Sequence, residues 1–208
     1  MKLQIAFDMT DLEKAVSIAT AVAPYASILE IGSLLLLKHG VKAVETFREV
    51  FPDKILLADA KIVDRGKHAV TLLAQAGADW ITVMAGTTKD VIHSASTTAH
   101  EFNKSVMLDL LDSCSLGQSA LEAKSIGVNA LLFHRPYEQR EEAFALADKW
   151  EMVRGNTNLP IFISGRITKD SIDKIKAINP DGLIIGKPIT DAASPEDEAK
   201  FFFDAFNG

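Results

Sequence analysis

The hydrophobic positions of the chain fall into short runs, separated by longer stretches where apolar and polar residues alternate with helical spacing. Eight runs read as strands: Leu3–Phe7, Ile28–Ile31, Ile55–Ala58, Trp80–Met84, Ser105–Leu110, Ala130–Phe133, Pro160–Ile163 and Gly182–Ile185. They are short, mostly apolar on both faces and bounded by Gly, Asp or Asn, the pattern of parallel strands covered by helices. The stretches between them carry helix signals. Thr10-Asp11-Leu12-Glu13 has capping-box spacing ahead of Ala15, Val16, Ile18 and Ala19. Thr168 precedes Asp170 and Ile172, and Ser194-Pro195-Glu196 opens a last helix with proline where a first turn tolerates it. Gly77, Gly127 and the turn Asn179-Pro180-Asp181-Gly182 stop helices just ahead of strands. With no linker, low-complexity tract or break in composition, residues 1–208 are expected to form one domain. Eight strand–helix units in 208 residues average about 26 residues each, sufficient for a (β/α)8 TIM barrel of the α/β class. A doubly wound open sheet is the alternative, weakened because no GxGxxG follows the first strand.

Composition narrows the setting. Hydrophobic residues make up 48% and charged residues 24%, as in soluble globular proteins. The net charge of -6 argues against nucleic acid, whose phosphates reward clustered Lys and Arg, and leaves small anionic substrates open. The single cysteine, Cys114, allows no internal disulfide and fits a reducing compartment. It reads as a buried or semi-buried thiol. The opening MKLQIAFDMT is too short in apolar residues for a secretion signal. Ile28 to Leu37, interrupted by Glu30, falls short of the roughly 20 apolar residues of a membrane span. A cytoplasmic protein with no membrane partner is expected.

In a barrel of this kind the chemistry belongs at the C-terminal ends of the strands. Those ends carry Asp8, Glu30, Asp59-Ala60-Lys61 with Asp64, Asp109, His134-Arg135, Ser164-Gly165-Arg166 and Gly186-Lys187. The fourth strand, ending at Met84-Ala85-Gly86, is the exception and delivers no polar group. Asp59 and Lys61 lie two apart, so an extended backbone points both to one side. A buried lysine costs several kcal/mol unless paired. The spacing alone also describes a solvated loop with surface ion pairs. Glu30 alone also reads as a strand-end charge, and Asp8 as a cap of the first helix.

Asp59-x-Lys61-x-x-Asp64 after a third strand resembles the hallmark of the orotidine-monophosphate decarboxylase superfamily. Leu57-Ala58-Asp59-Ala60-Lys61-Ile62 resembles its sugar-phosphate branch, 3-hexulose-6-phosphate synthase and 3-keto-L-gulonate-6-phosphate decarboxylase. The likeness runs the whole chain through Lys2-Leu3-Gln4-Ile5-Ala6 with Asp8, Glu30-Ile31-Gly32, Gly77-Ala78-Asp79 and Asp191-Ala192-Ala193-Ser194-Pro195. The resemblance implies that Glu30 and Asp59 bind Mg2+ together with two substrate oxygens, and that the ion stabilises a 1,2-enediolate. It implies that Lys61 sits beside the same oxygens as cation and proton donor, and that Asp8 holds the lysine and substrate hydroxyls. It also implies a homodimer in which Asp64 reaches into the neighbour's site. Phosphate would be held by backbone N–H groups of Ser164-Gly165-Arg166 and Gly186-Lys187, which otherwise read as ordinary turns. The branch usually has Gly-Gly after strand seven, so Arg166 departs from it, adding a phosphate clamp or filling space the substrate uses.

Two reactions share this pattern. The decarboxylase has Glu at the end of strand five and His-x-x-Arg after strand six. This chain has Asp109 and His134-Arg135-Pro136-Tyr137: Asp109, and Tyr137 where the decarboxylase has its second Arg, resemble the synthase, whereas Arg135 immediately after His134, Trp80 and Lys187 lean toward the decarboxylase. The expectation is an aldol lyase condensing formaldehyde with D-ribulose 5-phosphate, with His134 as the base acting at C1. Alternatives are the carboxy-lyase and a non-catalytic sugar-phosphate binding barrel, against which the metal-plus-lysine pair argues. His134 also reads as a hydrogen-bonded strand-end residue. His39, His68, His93 and His100 are expected at the surface, and Phe201-Phe202-Phe203 with Phe206 in packing.

Overall fold

The computed structural model describes residues 1–135, 144–165 and 167–207, with the backbone only for residues 144–148. Arg166 and the Pro136-Tyr137 pair therefore lie outside the described residues. Eight strands alternate with helices: β1 (Lys2–Phe7), α1 (Leu12–Val22), β2 (Ile28–Ile31), α2 (Ser33–His39), α3 (Val41–Val50), β3 (Ile55–Ile62), α4 (Gly66–Gln75), β4 (Trp80–Met84) and α5 (Lys89–Glu101). There follow β5 (Ser105–Asp109), α6 (Leu116–Ala123), β6 (Ala130–His134), α7 (Phe144–Arg154), β7 (Ile161–Ser164), a 3-10 turn (Lys169–Ser171), α8 (Ile172–Ile178), β8 (Gly182–Ile185), α9 (Lys187–Thr190) and α10 (Pro195–Asn207). Each strand pairs in parallel with the next, and β8 pairs with β1, which closes the (β/α)8 barrel. The apolar runs thus become strands because both faces are covered. One face packs on helices, as where Phe7 meets Phe47 at 5.4 Å and Phe133 meets Trp150 edge-on at 5.8 Å. The other face fills the barrel interior.

Two local expectations shift. The first helix is capped by Asp11, whose side chain accepts the Lys14 N–H at 3.0 Å, not by Thr10. Asp8 is not that cap either. Cys114 is exposed, not buried. The phenylalanines of α10 pack as expected: Phe202 is buried, Phe203 lies on Tyr25, and Phe201 and Phe206 sit beneath Lys169 and Lys176. Among the described residues no helix is long and apolar enough to cross a membrane.

The N-terminal end of the barrel repeats one device four times. Ser27, Asp79, Asn129 and Asp181 immediately precede β2, β4, β6 and β8. Each side chain accepts a strand N–H from the preceding strand: Leu3 at 3.3 Å, Leu56 at 3.0 Å, Val106 at 2.9 Å and Ile161 at 2.8 Å. Each backbone N–H then donates to the carbonyl of that same residue. Strand-opening amides that the ladder leaves unpaired are satisfied in this way. Asp79 bears the most, since Arg48 and Lys104 also bind it and Arg48 gathers the carbonyls of Phe51, Pro52, Lys54 and Gly77. Burial pushes the Asp79 carboxyl up, but the bonds from Lys104 and Leu56 and the Arg48 charge outweigh it and hold it below the usual carboxylate range. Its contribution is therefore complete above the unfolded value of about 3.9 and is lost as pH falls through the depressed folded value. Asp79→Ala is expected to cost about 2–4 kcal/mol in urea unfolding and roughly 5–10 °C in melting temperature. A loss under about 0.5 kcal/mol, the ordinary surface range, would remove this role.

Candidate active site

Strand alternation builds the site. The interior apolar cluster includes Ala6, Ile28, Leu57, Met107, Leu132, Phe162 and Ile184, with Trp80 packed against it. Two residues further on, at the same face of each strand, come Asp8, Glu30, Asp59, Asp109, His134, Ser164, Gly186 and, after Trp80, Thr82. The barrel thus carries an apolar plug with a ring of mostly polar groups toward its C-terminal mouth. Strand β4 is not bare, as its end residues suggest; it contributes Thr82 from its middle.

The centre of this ring is one bonded cluster. Lys61 Nζ lies 2.8 and 2.7 Å from the two carboxylate oxygens of Asp59 and 3.4 Å from Asp109 Oδ2. His134 Nδ1 lies 2.9 Å from the same Asp109 oxygen, while Leu111 N–H donates to the other at 3.0 Å. Ser33 Oγ donates to Asp59 Oδ2 at 2.7 Å, and Thr82 Oγ1 donates to Oδ1 at 2.9 Å. Beside them, Gln4 Nε2 donates to Glu30 Oε2 at 2.6 Å, and Gln4 Oε1 is buried without a hydrogen-bond partner. Glu30 and Asp59 are each 7% exposed and Asp109 is fully buried. The solvated-loop reading of Asp59 and Lys61 is therefore excluded, as is the strand-end-charge reading of Glu30.

Burial of so many charges separates their proton affinities. Burial first, and the Asp59 charge next, push Glu30 up to about 8, against the opposing hydrogen bond from Gln4 and the charge of Lys61. Burial would depress the Lys61 ammonium, but Asp59 and then Asp109 outweigh it and hold it above the ordinary lysine value. Burial would raise Asp109, but the His134 hydrogen bond and charge, with Lys61, hold it below the ordinary carboxylate range. At neutral pH the site therefore combines a protonated lysine, an ionised Asp109 and a Glu30 near its titration point.

Other residues marked in the sequence take different places. Asp8 is exposed and accepts the Leu34 N–H of α2 at 3.3 Å. Gly32 makes that approach feasible, since a Cβ there would lie 2.6 Å from Phe7 O and 2.8 Å from Asp8 Cα. Asp64 is exposed on the loop after β3, where it accepts the Arg65 N–H at 2.7 Å and makes no bond to the Lys61 cluster. Ser164 and Gly165 end β7, beside Gly186 and Lys187, which end β8 and open α9. Gly165 has φ +98°, and a Cβ there would meet Arg135 O at 2.5 Å, so this turn requires glycine. Gln4, Ser33 and Thr82 join the site beyond the charged residues to which the sequence pattern points.

Comparison with known proteins finds relatives along the length of the chain. A family model described as orotidine 5'-phosphate decarboxylase / HUMPS family matches residues 1–202. A 3-hexulose-6-phosphate synthase of Staphylococcus haemolyticus is 30% identical over 209 residues, covering 100% of both chains. One of Bacillus subtilis is 29% identical over 200 residues, covering 96% of this chain and 95% of the other. Among solved structures, a 3-hexulose-6-phosphate synthase from Salmonella typhimurium superposes with a TM-score of 0.91 at 31% identity, covering 99% and 98% of the two chains. A 3-keto-L-gulonate-6-phosphate decarboxylase from Vibrio cholerae gives 0.83 at 27% identity, covering 100% and 99%. Because the family match runs from the first strand into the last helix, this chain belongs to the orotidine 5'-phosphate decarboxylase / HUMPS family.

Proposed function

We propose that this chain is an aldol lyase that condenses formaldehyde with D-ribulose 5-phosphate, with Mg2+ held by Glu30 and Asp59. The observation that carries this reading is the bonded series Asp59–Lys61–Asp109–His134 at the barrel mouth. Full-length similarity to proteins named 3-hexulose-6-phosphate synthase supports it.

Asp109, ionised, accepts only, so His134 Nδ1 donates to it, which leaves Nε2 as the ring nitrogen that can take a proton. Nε2 takes no partner among the described residues and is the base for the C1 proton of the sugar phosphate. Negative charge then develops on the substrate oxygens, where the Lys61 ammonium opposes it. C1 forms the new bond to the formaldehyde carbon, and the resulting alkoxide takes the proton back from His134.

The donor set fits a hard cation. Two buried carboxylates stand on adjacent strands, and among the described residues no group of three or more His, Cys, Asp and Glu is placed to hold a metal. Two protein oxygens suit Mg2+, which keeps much of its shell for water and substrate, better than zinc, which takes three or four protein ligands. The unpartnered Gln4 Oε1 supplies a further buried acceptor beside Glu30, as a hydrated ion requires. When bound, the ion supplies Lewis-acid stabilisation of the charge on the substrate oxygens.

The phosphate belongs with the backbone of Ser164-Gly165-Arg166 and Gly186-Lys187 at the adjacent ends of β7 and β8. Asp8 meets substrate hydroxyls. Asp64, exposed and apart from its own cluster, serves the site of a second copy in a homodimer. The exposed side chains of Val63 and Leu72, beside and following it, fit such an interface. The setting is the cytoplasm, in keeping with the single thiol.

Incubation with Mg2+, formaldehyde and D-ribulose 5-phosphate should consume both organic substrates together. Arg135, adjoining His134, favours the second reading, 3-keto-L-gulonate-6-phosphate decarboxylase. CO2 release from that acid without formaldehyde consumption would replace the first reading by the second. Neither activity would leave a binding barrel.

A further inference from the structure

Strands β3 and β4 pair at Leu57 with Trp80 and at Ala58 with Ile81, and next at Ile62 with Val83. Asp59, Ala60 and Lys61 therefore stand opposite the single residue Thr82. This bulge carries Lys61 to φ +45°, a left-handed conformation that is strained for a non-glycine residue and persists only where surroundings enforce it. Bulges beside active sites serve to re-aim a side chain. Here the Lys61 N–H, displaced from the regular ladder, donates to Thr82 Oγ1 at 2.9 Å. The proton of that hydroxyl goes in turn to Asp59 Oδ1 at 2.9 Å. Thr82 is 1% exposed, so water does not substitute for it.

We propose that Thr82 is a positioning residue, whose hydroxyl pins the β3 bulge from within and sets the Asp59 carboxylate and the Lys61 backbone relative to each other. Ser33 holds the other carboxylate oxygen and the Asp59 carbonyl; among the described residues Thr82 alone bonds both members of the pair. The consequence for turnover rests on the aldol reading above; the consequence for the backbone does not. Thr82 touches neither substrate nor ion in that reading, so its loss acts on kcat through misplacement of Asp59 and Lys61 and leaves KM nearly unchanged.

The test compares Thr82→Val, isosteric without the hydroxyl, with Thr82→Ser, which restores it. The valine variant is expected to lower kcat about a hundredfold with KM within about threefold, and serine to recover to within about fivefold of the parent. Amide hydrogen exchange at Lys61 supplies a readout independent of activity: fast in the valine variant, protected in the serine variant and the parent. A valine variant with a protected Lys61 amide overturns the proposal whatever the activity, and so does a kcat loss that serine does not restore. An inactive parent with the expected exchange pattern upholds the pin and removes only the aldol reading. Should valine prevent folding, Thr82→Cys carries the test, with faster Lys61 exchange and about a tenfold lower kcat expected, given the weak hydrogen bonding of a thiol. Parental values for both would overturn it.

Discussion

Lys61→Ala is expected to lower turnover at least a thousandfold while the barrel remains folded. Its ammonium bonds both oxygens of Asp59 and reaches Asp109, and those two carboxylates keep it protonated despite burial. In the proposed reaction it is the cation that meets charge developing on the substrate. The same geometry predicts an opposite effect on cation binding. A carboxylate offers about four lone-pair directions. Asp59 uses all of them, for Lys61 at both oxygens, Ser33 and Thr82. A divalent ion at Asp59 must therefore displace one donor, and Lys61 has Asp109 to turn to. Without Lys61 the competitor and its like charge are gone, so calorimetry should show Mg2+ or Mn2+ binding about tenfold tighter. A turnover loss under tenfold, or weaker cation binding, would contradict this role. The dimer adds a second check. Mixed subunits of Lys61→Ala and Asp64→Asn contain one intact site per hybrid, and should recover about a quarter of parental activity only if Asp64 crosses the interface.

The strands were legible because a parallel strand covered on both faces must be apolar throughout; Ile28–Ile31, Trp80–Met84 and Gly182–Ile185 keep their sequence-derived bounds in the structure. The run at Ile55–Ala58 read short because Asp59 and Lys61 interrupt it, although β3 continues to Ile62 with those charges facing the mouth and a bulge between them. Hydrophobic pattern cannot announce a bulge. Charged members of the site were legible because a charge next to an apolar run demands a partner. Gln4, Ser33 and Thr82 were not, since a neutral polar residue in or beside a strand carries no such demand. A signal was nonetheless present: Thr82 follows Trp80 by two, as Asp59 follows Leu57 and Asp109 follows Met107. Ser164-Gly165 and Gly186-Lys187, the pair of turns proposed to hold phosphate, stand at the adjacent ends of β7 and β8, with Arg166 outside the described residues.

Glu30→Gln is expected to abolish both cation binding and the pH dependence that accompanies it. In the unfolded chain this carboxyl ionises near its model value of 4.5, whereas burial and the Asp59 charge raise it to about 8 in the fold. Between those values the folded protein holds a proton that the unfolded chain has lost. Glu30 thus contributes stability that is complete below the unfolded value and declines as pH rises through the folded one, by several kcal/mol in all. A divalent ion competes with that proton. Binding should release close to one proton per ion at pH 6 to 7, and affinity should rise about tenfold per pH unit until near pH 8, then level. The ion takes over the role of the lost proton, so Mg2+ should raise the melting temperature more at pH 8 than at pH 6. The glutamine variant, neutral throughout, should show neither trend. Calorimetric titrations in buffers of different ionisation enthalpy measure the proton release directly, and an affinity flat from pH 6 to 8 would show that Glu30 is not a ligand.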